Sequence, residues 1–263
     1  MDKNYFMGKT ALITGSGRGI GSAIAQHFAS LGTDIVVNYF RNREPAEETA
    51  QKISEFGVRA EIIKANVGNI DDLENLISET NRLFGGLDIL VSNAGSGYNR
   101  PIMEQRPKGW DWTMDINARA YLFLAQKAVP LMENRGGGSI VSISSPGSFR
   151  VLPEYSVVGA SKAAIEALTR YMAVEFGPKN ISVNGVSPGI VATDALKHFD
   201  TMQDENLLGE VADETPAGRI VTPEDVAAIV AFLCSPDASM IRGQTIIADG
   251  GFTLPASGLQ RPS

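Results

Sequence analysis

A phenol and an ammonium group stand seven positions apart in the stretch Tyr155-Ser-Val-Val-Gly-Ala-Ser-Lys162. On a helix, residues seven apart return to roughly the same face, so the two side chains can converge on one reacting group as an acid pair. The residue four before Lys162 shares that face, but it is Val158, which has no proton to donate. A second pattern, Thr14-Gly15-Ser16-Gly17-Arg18-Gly19-Ile20-Gly21, lies between the first apolar strand-like run and the first helical stretch. Glycines there let the backbone turn sharply and approach a pyrophosphate, which then rests on the N-terminus of the helix. The strand–loop–helix setting makes the pattern specific, where a glycine string alone is weak.

The end of the second strand-like run separates the two dinucleotides. A carboxylate there binds free ribose hydroxyls, and a cation accepts a 2′-phosphate. This run ends Asn38-Tyr39-Phe40-Arg41-Asn42-Arg43, without a carboxylate, and Asp34 precedes the run at the wrong end. Arg18 in the glycine loop can reach the same phosphate. NADPH is therefore the expected cofactor, with Arg41 and Arg18 on its 2′-phosphate and Tyr39 beside it.

The elements that must position these groups alternate along the chain. Strands are expected at Thr10–Thr14, Asp34–Asn38, Ala60–Ala65, Leu87–Val91, Ser139–Ile143, Ile181–Val186 and Gln244–Ala248. Helices are expected at Ile20–Leu31, Glu44–Phe56, Ile70–Phe84, Trp110–Asn134, Gly159–Phe176 and Pro223–Cys234, with Gly32, Gly57 and Gly85 as C-terminal stops. Strand–helix alternation implies an α/β fold: a single-domain, Rossmann-type, doubly wound parallel sheet of about seven strands with helices on both faces. Ligands on such sheets bind beyond the C-terminal strand ends. No composition break divides residues 1–263. The polar, helix-prone stretch at about 194–214 reads as a lid over the substrate, and the Pro, Ser and Gly-rich tail from Leu254 as loosely held or used in subunit packing.

Bulk properties narrow the setting. The chain has 263 residues, 43% hydrophobic and 20% charged, with no apolar run long enough to span a bilayer. The N-terminal residues lack the apolar core of a signal peptide. With one cysteine, Cys234, in an apolar helical run, no intrachain disulfide is possible, and a cytoplasmic setting is expected. The net charge of −7 argues against nucleic acid as a partner. Two histidines, His27 and His198, are too few and too separated to suggest a metal site.

The chain from roughly Lys9 to Gly251 resembles the short-chain dehydrogenase/reductase family. The glycine loop carries the resemblance together with Asn93-Ala94-Gly95 after the fourth strand, Asn117, Ser142-Ile-Ser-Ser145, Lys162, Ser187-Pro188-Gly189 and Thr193. It implies that Asn66 and Val67 flank the adenine, although the family usually has Asp at the first of these positions. It implies further that Asn93, Ala94 and Gly95 pack along the adenine ribose, and that Pro188, Gly189, Ile190 and Thr193 hold the nicotinamide end. Lys162 would bind the nicotinamide ribose and lower the pKa of a nearby Tyr, and Asn117 would hold a water in a proton relay. Ser145 would orient the substrate, with Ser144 the runner-up.

The departure from the family is the tyrosine, which ordinarily lies four before the Lys. A Tyr six residues removed resembles the enoyl-acyl-carrier-protein reductases of the same fold. Trp110-Asp-Trp-Thr-Met-Asp-Ile-Asn-Ala118, Ser156-Val-Val-Gly-Ala-Ser-Lys162, Thr193-Asp-Ala-Leu-Lys-His-Phe199 and Met240-Ile-Arg-Gly-Gln-Thr-Ile-Ile247 are similar to the NADPH-dependent type III members. Ser187-Pro-Gly-Ile-Val-Ala-Thr193 is closer to ordinary ketoreductases. The geometry favours the enoyl branch. Moving the hydroxyl three residues along a helix shifts it by about 4.5 Å. In a ketone, hydride and proton go to adjacent atoms. In a 2-enoyl thioester, hydride goes to C3 while charge gathers on the thioester oxygen, farther from the hydride donor. The expected function is NADPH-dependent reduction of 2-enoyl thioesters in fatty-acid or polyketide-type synthesis. The first alternative is a reductase of 3-oxoacyl thioesters or other carbonyls; a non-catalytic NADPH-binding scaffold is the second. By sequence proximity Arg100, Arg106 and Lys108 are candidates to meet an acidic acyl-carrier protein, a plain solvated loop being the alternative, and the resemblance implies a homo-oligomer, tetramer or dimer, built through the two long helices.

Overall fold

Apolar runs in the strands leave no polar face, so each strand has to be covered from both sides. The computed structural model describes residues 3–193 and 205–255. Strands β1 (Thr10–Ile13), β2 (Asp34–Tyr39), β3 (Ala60–Lys64), β4 (Ile89–Ser92), β5 (Gly138–Ile143), β6 (Ile181–Pro188) and β7 (Thr245–Ala248) form one parallel sheet in the order β3-β2-β1-β4-β5-β6-β7. Successive side chains point to opposite faces, and the core divides accordingly. Ala11, Ile13, Ile35, Val37, Ile89 and Val91 join one apolar cluster. Leu12, Val36 and Leu90 join the other.

Helices α1 (Gly19–Ser30), α2 (Glu44–Ser54) and a later helix at Pro223–Leu233 cover the first face. Helices α3 (Ile70–Phe84), α5 (Ala120–Asn134) and α6 (Ser156–Phe176) cover the second. Between β4 and α5 stands α4 (Pro107–Met114); α7 (Glu205–Glu214) precedes the Pro223–Leu233 helix, α8. The bounds of α3 match the sequence expectation, because Asn69 caps its first turn by accepting from Asp72 N and Gly85 ends it in the left-handed region at φ 69°.

Two expectations need correction. The long helix expected over Trp110–Asn134 is α4 and α5 joined through a π-helical segment, Asp115–Arg119. A π turn adds one residue to a helical turn and leaves the surrounding apolar pattern intact. Helix α6 begins at Ser156 rather than Gly159, so Tyr155 is its N-cap residue. Of the expected lid, residues 205–214 form α7, while 194–204 fall outside the described residues, as do His198 and the tail from residue 256. Cys234 is buried as expected, and burial pushes its thiol up to about 12. No helix among the described residues is long and apolar enough to cross a membrane.

Strand order reverses between β1 and β4, where the chain leaves the sheet in opposite directions and opens a crevice at the C-terminal strand ends.

Candidate active site

The glycine loop is shaped from below by one amide. Asn38, at the buried end of β2, accepts from Gly15 N through Oδ1 at 3.1 Å and donates through Nδ2 to the carbonyls of Ile63 and Ala65. Gly15 and Gly19 take left-handed φ values of 63° and 57°, which L side chains adopt only with strain. Gly21 is required by proximity: a Cβ there would lie 2.5 Å from Gly15 O and 2.6 Å from Asn93 Nδ2. Ser16 is fully buried. Its N–H donates to Asn38 O, and its hydroxyl donates to Ile13 O while accepting from Asn38 N. Ser16 therefore supports the loop. Gly17 stands over the start of α2, its carbonyl accepting from Thr49 Oγ1 at 3.0 Å, and Ile20 packs inward on the core.

Thr14 laces β1 to β4. Its Oγ1 accepts from the N–H groups of both Asn93 and Ala94 at 3.0 Å, and the Asn93 amide donates back to Thr14 O and Gly15 O. At the edge of the crevice, Arg18 and Arg41 are exposed and form no ion pair with a described residue, whereas Arg43 is held by Glu47 at 2.7 Å. The Arg41 guanidinium lies 5.9 Å from the Trp112 ring centroid. Asp34 sits at the far end of β2, accepting from Arg59 N. Asn66 accepts from Gly68 N through its own side chain, and Val67 beside it is buried. On the other flank, Thr193 Cγ2 stands 3.5 Å from where a Gly19 Cβ would be. Pro188 pairs with Ala248, Gly189 N donates to Ala248 O, and Ile190 O accepts from Val221 N, so this segment is fixed from behind.

The second group of residues gathers at the start of α6. Tyr155 is half-buried, and the Ser145 side chain lies near its hydroxyl. Burial pushes the phenol above its usual range, with the Ser145 contact opposing. Its ring lies flat against Gly147, where a Cβ would come within 2.5 Å of two ring carbons. Val158 is buried, and its Cγ2 fills the space beside Gly97 so tightly that a Cβ on Gly97 would lie 2.2 Å away. Lys162 is buried and donates to Ile143 O at 2.8 Å. Desolvation lowers its pKa to about 8, with the Glu166 carboxylate opposing that shift. Lys162 Nζ and Asn117 Oδ1 both stand 3.6 Å from the position of a Gly95 Cβ, so the three residues adjoin.

Asn117, in the π turn, is bonded on every side: Oδ1 accepts from Ser96 N, and Nδ2 donates to Ser96 O and to Ser161 Oγ. Its side chain fixes the loop after β4 beside Lys162. The Ser144 hydroxyl is turned away from Tyr155 and donates to Glu166 at 2.6 Å, leaving Ser145 as the hydroxyl at the phenol. The sequence reading passed over Asn38, Ser96, Ser161 and Trp112. An amide ending an otherwise apolar strand was the available sign for Asn38.

The geometry places a glycine loop along a crevice at the strand ends, with Tyr155, Ser145 and the buried Lys162 at one end. Comparison with known proteins supplies the class. Residues 15–253 match the family described as "Enoyl-(Acyl carrier protein) reductase". The chain is 39% identical over 254 residues to a hydroxynaphthalene reductase-like protein, Arp2, of Metarhizium robertsii, covering 93% of this chain and 94% of that one. It is 38% identical over 248 residues to 1-cyclohexenylcarbonyl-CoA reductase of Streptomyces collinus, covering 94% and 88%. Among solved structures, it superposes with a TM-score of 0.89 on 7α-hydroxysteroid dehydrogenase complexed with NADH and 7-oxo glycochenodeoxycholic acid, at 34% identity, covering 95% and 97%. The protein belongs to the short-chain dehydrogenase/reductase family and is an oxidoreductase.

Proposed function

We propose that this protein is an NADPH-dependent reductase of the C2–C3 double bond of 2-enoyl thioesters. The observation that carries the reading is the exchange at the start of α6: Val158 fills the position four before Lys162, and the phenol sits on the preceding turn against Gly147 and Ser145. A hydroxyl set back in this way suits an oxyanion remote from the carbon that takes hydride.

The residues present fit a nicotinamide dinucleotide. Gly15 and Gly19 open the backbone where a pyrophosphate would lie, and Gly95 leaves space beside Lys162. Arg18 and Arg41 are exposed cations with no ion pair among the described residues, Arg41 lying near the Trp112 ring, and β2 ends without a carboxylate, which favours NADPH over NADH. When bound, the cofactor supplies the hydride. Tyr155 then hydrogen-bonds the developing enolate oxygen, with Ser145 fixing the direction of its hydroxyl. Protonated Lys162 places positive charge behind the phenol and favours proton release from it. The proton at C2 comes from Tyr155 or from water.

A second reading, reduction of a carbonyl, is favoured by the Ser145–Tyr155 contact, which equally suits a ketone oxygen, and by the likeness to the hydroxynaphthalene reductase-like protein. The proposed physiological substrate is an acyl thioester on an acidic acyl-carrier protein. Arg100 N donates to Glu154 O, which brings the loop bearing Arg100, Arg106 and Lys108 beside Tyr155, and Ile102, Met103 and Val151 are exposed around it. The working form is proposed to be a homodimer or homotetramer, in the cytoplasm.

The deciding assay follows cofactor oxidation with a 2-enoyl thioester and the 3-oxoacyl thioester of equal chain length, each with NADPH and with NADH. Faster turnover of the enoyl compound with NADPH is expected. Preference for the oxo compound makes the protein a carbonyl reductase, and equal use of NADH removes the role given to Arg18 and Arg41.

A further inference from the structure

Two neighbours of the Tyr155 side chain belong to one short segment. Ser145 meets its hydroxyl, Gly147 meets its ring, and the two lie in the turn that follows β5. That turn is a single 3-10 turn at Pro146–Ser148, capped by the Ser145 side chain, which accepts from Gly147 N at 3.2 Å. A structure this short has little stiffness of its own. What holds it is a carboxylate outside it. Glu166 lies on α6 one helical turn after Lys162, and its Oε1 accepts from Ser144 Oγ and from Ser148 Oγ, each at 2.6 Å. Hydrogen bonds from hydroxyls to an ionised carboxylate at this length are about twice as strong as neutral ones. Ser148 Oγ also lies 2.9 Å from Ser145 O, which ties the second anchor directly to the residue at the phenol. The two donors bracket the segment, one on each side of Ser145 and Gly147. Ser144 is 3% exposed, so its hydroxyl has no solvent to turn to if the carboxylate is removed.

We propose that Glu166 is a positioning residue: its Oε1 clamps the turn at Ser144 and Ser148 and thereby sets Ser145 and Gly147 against Tyr155. The inference rests on the reading that Tyr155 and Ser145 act on the substrate. Glu166 reaches them through the turn, and separately its carboxylate supports the charge on Lys162. Displacing a reacting group by about 1 Å can cost on the order of 100-fold in rate, so a slack turn is read in kcat. The clamp includes no residue of the glycine loop, and at a pH well below the Lys162 value of about 8 cofactor binding is expected to change little.

The test compares wild type, Glu166→Ala, Glu166→Gln and Tyr155→Phe, using whichever of the matched thioesters wild type reduces faster. Glu166→Ala is expected to lower kcat by about 10-fold or more with KM for NADPH within about two-fold of wild type. Glu166→Gln keeps an acceptor oxygen in place and is expected to recover kcat to within about three-fold. Kinetics of Glu166→Ala within two-fold of wild type, alongside an inactive Tyr155→Phe, overturn the clamp and leave the role of Tyr155 standing. Equal impairment of the Ala and Gln variants also overturns it, since charge and not the hydrogen bonds would then be at work. Full turnover by Tyr155→Phe removes the underlying reading and the clamp together. If Glu166→Ala does not fold, Ser148→Ala releases the turn from the opposite side; a fall in kcat of several-fold supports the clamp, and an unchanged kcat overturns it.

Discussion

Lys162 works against its surroundings. It is buried, which favours the neutral amine, yet the chemistry proposed for it needs the ammonium. Desolvation brings its pKa from 10.5 to about 8, and Glu166 keeps it from falling further. Tyr155 is displaced the other way and stays protonated across the neutral range. Turnover is therefore expected to fall as pH rises through about 8, with KM for NADPH following the same limb; a kcat that is flat to pH 10 would remove the charge from the mechanism. Stability moves in the opposite direction. Between about 8 and 10.5 the unfolded chain holds a proton that the folded chain has released, so this side chain's contribution to stability grows with pH. Residues of this kind were legible in the sequence because their type is chemically committed: Tyr155, Lys162 and Ser145 were found by spacing, and the structure brings Ser145 to Tyr155. Glu166 was not legible, because a glutamate on a helix ordinarily reads as a solvated face and its two partners lie 18 and 22 positions upstream. Asn38 was hidden for the converse reason, as a polar residue taken into an apolar strand.

At the scale of elements, the strand–helix alternation was readable throughout, and most bounds fell within a few residues. What escaped was departure from regular period. The π turn at Asp115–Arg119 leaves the apolar stripe continuous while bringing Asn117 between Ser96 and Ser161. The early start of α6 escaped because the residues before Gly159, Tyr155 to Val158, carry β-branched and aromatic side chains of modest helix propensity; packing on Gly147 and Gly97 overrides that preference. The junction of α6 with the loop after β4 can be probed directly. Gly97→Ala places a Cβ 2.2 Å from Val158 Cγ2, so one of them must move. The expected loss is about 1–3 kcal/mol, measured by urea unfolding, and Val158→Ala added to the same chain is expected to restore most of it. Wild-type stability in the single Gly97→Ala variant would mean that the two elements do not meet in this way.

For the whole molecule, the seven strands divide their side chains between two cores, and the crevice lies at the strand ends where neither core reaches. The outer faces of α5 and α6 leave Leu122, Tyr171 and Val174 in the open, the last two at 70% and 78% exposure, which suits the proposed assembly through these helices. Tyr171→Glu is expected to shift sedimentation toward smaller species; an unchanged profile places the interface elsewhere. The fit of Val158 to Gly97 also bears on the history open to this chain. A tyrosine at position 158 would need more room beside Gly97 than Val158 takes. Exchange of the two positions therefore calls for the loop after β4 and the start of α6 to change together.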